Sequence, residues 1–98
     1  MNEEKVFHLD LNGCKTWQTL HQRVKDTFDF PDYYGQNWDA FYDLMRTEVD
    51  IDKLVVSGVY TMPAELQEDL QTMYMVLDHL KTFYLSVFRK VFTYEVLN

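Results

Sequence analysis

A small three-stranded parallel sheet with helices packed on it, an α/β fold, is what this 98-residue sequence predicts, and three observations carry the prediction. Three short stretches have strand patterning. Helical stripes lie between them, and strands that alternate with helices join as parallel neighbours through crossover connections. Hydrophobic residues make up 47% of the chain and aromatics 16%, enough to build one core and too much for a disordered chain. The length suits a single domain over residues 1–98 and not two.

The elements follow in order. Residues 5–11, KVFHLDL, alternate around Val6 and His8 or around Phe7, Leu9 and Leu11, and read as a strand. Asn12-Gly13 marks a turn. Thr16 is placed to cap a helix whose stripe is Trp17, Leu20, His21, Val24 and Phe28, and Pro31 is expected to end it. Tyr33-Tyr34-Gly35 reads as a tight connection in which Gly35 supplies the permissive backbone. Asn37 is a good cap for a second helix over 38–48. KLVVSG, 53–58, reads as a buried strand. Thr61, Pro63 and Glu65 are expected to start a third helix with the stripe Leu66, Leu70, Met73, Tyr74, Leu77 and Leu80. VFTYEVL, 91–97, alternates as a last strand, and 83–90 fits either a longer helix, a short separate one or an early strand.

Composition narrows the function. The net charge of −7 argues against nucleic acid or an anionic membrane as partner, because those contacts depend on Lys and Arg. The charge is also concentrated. Between Asp29 and Asp52 seven acids (Asp29, Asp32, Asp39, Asp43, Glu48, Asp50, Asp52) face one base, Arg46, a net of −6, so the expected partner is a basic surface. A single cysteine, Cys14, excludes an internal disulfide and fits a reducing compartment. No secretory signal and no membrane-length apolar run is present, so a cytoplasmic setting is expected.

On a helix over 38–48, Trp38, Phe41, Leu44, Met45 and Glu48 fall on one side. Asp39, Asp43 and Arg46 fall on the other, with Tyr42 at the border. Two carboxylates at i and i+4 repel by about 0.2–0.5 kcal/mol in an isolated helix. The bland reading is a solvated acidic face. The alternative is a contact surface, favoured by the aromatics Tyr33, Tyr42 and Trp38 beside the carboxylates. Catalytic carboxylates would need a cleft that nothing here suggests. His8, His21 and His79 have no ligand spacing, so no metal site is expected, and Cys14 lacks the context of a nucleophile. No catalytic residue and no cofactor is predicted.

Pro31, Tyr33, Tyr34, Gly35, Asn37, Asp39, Ala40, Phe41 and Asp43, in FPDYYGQNWDAFYDLM, resemble the signature of the barstar family, bacterial inhibitors of barnase-type ribonucleases. The resemblance implies a barstar-like three-stranded parallel sheet. It implies that the second helix and the loop before it plug the active site of a basic, extracellular-type ribonuclease. Asp43 would be the main anchor in a phosphate subsite and Asp39 a second acidic contact. Tyr33 would stack on the enzyme, with Gly35, Asn37 and Tyr42 completing the surface. Trp38 and Arg46, on or beside the same face, depart from the family: Trp38 replaces a smaller apolar residue and Arg46 adds a positive charge. Tyr42 stands where the best-known member has Trp. A last-helix glutamate of that inhibitor falls at Thr82 or Lys90, neither of them acidic. The expectation is therefore a non-catalytic, cytoplasmic inhibitor, monomeric when free, of antitoxin or immunity type. An acidic interaction module for another basic protein or toxin nuclease is the alternative.

Overall fold

Three parallel strands in the order β1-β2-β3 form the sheet of the computed structural model, which describes residues 3–97. β1 spans Val6–Asp10, β2 Lys53–Ser57 and β3 Thr93–Val96. Val6 pairs with Lys53, and Lys53 with Thr93, which aligns the strands side by side. That register puts Phe7, Leu9, Leu54, Val56 and Tyr94 on the face that the helices cover. The opposite face carries His8, Lys53, Thr93 and Glu95 and is open, with Lys53 paired to Glu95 at 3.3 Å.

The first helix, α1, spans Trp17–Phe28. Thr16 caps it by accepting from the Thr19 amide at 3.2 Å. Leu20, His21, Val24 and Phe28 are buried as their spacing predicts, whereas Trp17 opens the stripe and stays 47% exposed, edge-on to His21. The helix stops ahead of Pro31, because Asp29 turns left-handed (φ 54°) and its amide bonds the Lys25 carbonyl. The second helix, α2, spans Trp38–Thr47 and buries Phe41, Leu44 and Met45. Glu48 was expected on that apolar side. It is exposed, because the helical screw ends at Thr47 and Glu48 caps it.

After β2 the chain makes two 3₁₀ turns, Val59–Thr61 and Ala64–Leu66, before α3 begins at Gln67. The helix expected from Thr61 starts late because Thr61 is held by one near and one distant contact. The Thr61 hydroxyl donates to the Gly58 carbonyl at 2.7 Å and accepts from the Gly13 amide at 3.0 Å, which fixes this stretch to the turn after β1. Helix α3 then runs 22 residues, to Phe88, and so absorbs most of the ambiguous 83–90. Arg89 ends it in the left-handed region (φ 54°). Leu70, Met73, Leu77, Leu80 and Tyr84 line its buried face, and the Tyr84 hydroxyl donates to the Met45 carbonyl at 2.6 Å, locking α3 to α2. No helix among the described residues is long and apolar enough to cross a membrane.

Candidate functional site

The loop 31–37 is rooted in the core by one tyrosine and presents the next. Tyr34 is 6% exposed, packs against Phe30 and donates or accepts at 2.6 Å with His21 Nδ1. Burial pushes its phenol well above the usual value. Its neighbour Tyr33 is 75% exposed. Burial also lowers the proton affinity of His21, against a smaller pull from Asp69, so the imidazole is held neutral beneath the loop.

The left-handed turn of this loop falls on Gln36 (φ 51°), and Gly35 has no positive φ. The expectation that Gly35 supplies the permissive conformation is thereby corrected. What Gly35 provides is room. The Asn37 side chain folds back over it, donating to the Gly35 carbonyl at 3.1 Å, and a Cβ there would lie 3.2 Å from Asn37 Nδ2. The same side chain accepts from the Ala40 amide at 2.8 Å. Asn37 thus couples the loop to the first turn of α2, as its capping role predicts.

Asp39 and Asp43 are both exposed on the outer side of α2, one turn apart. Phe41, Leu44 and Met45 hold the opposite side in the core and so fix which way the carboxylates point. Asp39 lies in the first turn, where the helix dipole favours an anion. It has no ion pair or hydrogen bond among the described residues. Asp43 does: Arg46 Nη2 donates to its Oδ1 at 2.5 Å. The guanidinium also sits 4.4 Å from the Tyr42 ring centroid and 5.5 Å from that of Phe83. Trp38 is half-buried. Its ring lies 4.4 Å from His21 and crosses Phe41 edge-on, and its indole N–H donates to Asp69 Oδ1 at 3.2 Å.

The acidic segment is not one surface. Asp50 and Asp52 lie just before β2 and are tied to Lys5 and Lys90. Hydrogen bonds from Lys5 and then Lys90 hold the Asp50 carboxyl down to about 2. Asp32 pairs with Lys25 at 3.0 Å. Asp29, Asp39 and Glu48 are the acids of 29–52 left without an ion pair among the described residues. The sequence spacing of Lys5 and Lys90 from this segment gives no sign of these contacts.

Of the two positions matched to the last-helix glutamate, Thr82 lies on α3 beside α2 and Lys90 lies past the helix end. With Tyr42, His79, Phe83, Ser86 and Val87 it lines a shallow groove of about 310 Å³. Lys90 turns away to Asp50. Phe83 and Asp69, both on α3, are the site's neighbours that sequence reasoning missed; the lone local clue was the i, i+3 spacing of Asp43 and Arg46. Cys14 is buried and desolvation raises its thiol, which makes it a core residue. Among the described residues no group of three or more His, Cys, Asp or Glu side chains could hold a metal ion.

A family model described as Barstar (barnase inhibitor) matches residues 4–96. A Bacillus subtilis (strain 168) protein named "Putative ribonuclease inhibitor YrdF" is 46% identical over 48 residues. That match covers 49% of this chain and 53% of the relative, so it spans about half of each.

Proposed function

This chain belongs to the barstar family, and from that premise we propose that it is a non-catalytic inhibitor of a basic, barnase-type ribonuclease. It docks α2 and the loop before it into the enzyme's active site. The observation that carries this reading is the pair of exposed carboxylates, Asp39 and Asp43, held outward on one rigid helix beside an exposed tyrosine. Ribonuclease sites bind phosphate with cationic groups, and a carboxylate matches the fork of an arginine in the same bidentate geometry. Asp43 is the anchor and Asp39 the second contact. Tyr33 stacks on the rim of the enzyme. Gly35 and Asn37 present backbone close to the partner, and Trp38, Tyr42 and Arg46 frame the face.

The chain acts as one domain, monomeric when free and cytoplasmic, and it needs no cofactor. Its partner is the enzyme protein, with no direct nucleic-acid or membrane contact.

Titration into a barnase-type ribonuclease, followed by RNA cleavage, tests this. Stoichiometric loss of cleavage is expected. Truncating one partner of a hydrogen-bonded charge pair at an interface costs about 2–5 kcal/mol, a range for which barstar–barnase complexes were themselves a source. Asp43→Ala is therefore expected to weaken inhibition more than any other single change on this face. Full cleavage in the presence of excess wild-type protein would redirect the acidic face to a different basic protein.

A further inference from the structure

Arg46 is the one base in the acidic segment, and it is spent on Asp43. Its guanidinium is wedged between Tyr42 and Phe83, leaving its side chain 32% exposed against 68% for the Asp43 side chain. The Nε atom is buried there with no hydrogen-bond partner among the described residues. Planar Arg stacks well on aromatic faces, so the rings hold the cation in place independently of the carboxylate. Asp39, one turn earlier, has no such companion. The two carboxylates of the face are thus unequal. Asp39 is open to any cation, while Asp43 already shares one oxygen with a cation of its own chain.

We propose that Arg46 is a specificity-determining residue: an intramolecular rival that withholds the Asp43 carboxylate from purely cationic partners. A cation approaching Asp43 meets Arg46 within a few ångströms. It must either displace the guanidinium from Oδ1 or take the second oxygen beside a like charge. Because the Tyr42 and Phe83 rings keep the displaced guanidinium at the rim, its charge stays on the face after docking. A partner with a cation at every subsite is discriminated against. One that leaves the rim facing Phe83 uncharged or acidic is admitted. This inference rests on the reading of α2 as the docking face.

The test uses a hexa-arginine peptide as a purely cationic probe at low salt, with binding read by amide chemical shifts of the whole chain. Arg46→Met keeps the apolar stem on the rings and removes the charge, and Arg46→Gln is the second variant should packing suffer. Lys81→Met is the control: it removes an equal charge near Tyr94, on another side of α3. Losing a like-charged neighbour should tighten the peptide by about fivefold beyond the control, with the new shifts around Asp43. In an Asp43→Asn background that gain should vanish. A gain no larger than that of Lys81→Met, or one that survives Asp43→Asn, overturns the proposal. The peptide arm involves no ribonuclease. An inhibition assay that fails while this arm succeeds therefore counts against the ribonuclease reading alone.

Discussion

Two adjacent tyrosines divide the work of the loop, and the division is set by one histidine. Tyr34 reaches His21 inside the core, so Tyr33 is turned to solvent. A helix stripe through Leu20, His21 and Val24 made a packed His21 legible from sequence. Its bond to Tyr34, thirteen residues on, was not, since nothing local ties the two. Burial depresses the His21 proton affinity, so the unfolded chain takes up its proton near the ordinary 6.5 and the folded chain only at lower pH. Stability is then full above that value and falls as pH drops from 6.5 towards the folded value. Asp50, held at about 2, adds its own loss only below the ordinary carboxylate value of 3.8, so the loss from His21 sets in first as pH falls. Urea midpoints measured from pH 7 down to pH 5 should decline for the wild type and stay flatter for His21→Gln. Equal slopes would mean that the imidazole does not titrate with unfolding.

Caps and turns decide where the elements begin. Asn37 and Thr16 were readable as caps because their amide contacts are three residues away. The late start of α3 was not readable, because Thr61 answers to Gly58 and Gly13, and Gly13 is 48 residues distant in sequence. The same junction makes a discriminating prediction. Gly13 and Gly58 both have φ of 80°, but a Cβ at Gly58 would lie 2.3 Å from the Asn12 amide nitrogen while one at Gly13 meets nothing within 4 Å. Ala at a positive φ destabilises by about 1 kcal/mol or more through the backbone alone. Gly58→Ala adds a clash with the backbone of the β1–α1 turn. Its loss in chemical denaturation should exceed that of Gly13→Ala by at least about 1 kcal/mol. Equal losses would show that the turn shifts freely and that the junction is not tight.

Across the whole molecule, the parallel pairing follows from the alternation of strands and helices, and the chain's pattern was sufficient to foresee it, though not the order β1-β2-β3. The distribution of charge was not foreseeable. Seven acids crowded in sequence separate in space, because α2 ends at Thr47 and the chain then turns into β2, carrying Asp50 and Asp52 to Lys5 and Lys90. What remains outward on α2 is Asp39, unpaired among the described residues, and Asp43 with its own arginine. The outward acidic face is therefore small, with the two carboxylates at its centre. Amide chemical-shift mapping on addition of a barnase-type ribonuclease tests its docking role most directly. Perturbations should centre on residues 33–46 and reach the α3 groove at Thr82 and Phe83, and they should leave the open sheet face at His8, Lys53 and Glu95 unmoved. Shifts gathered on that sheet face, or around Asp50 and Lys90 with α2 silent, would contradict it.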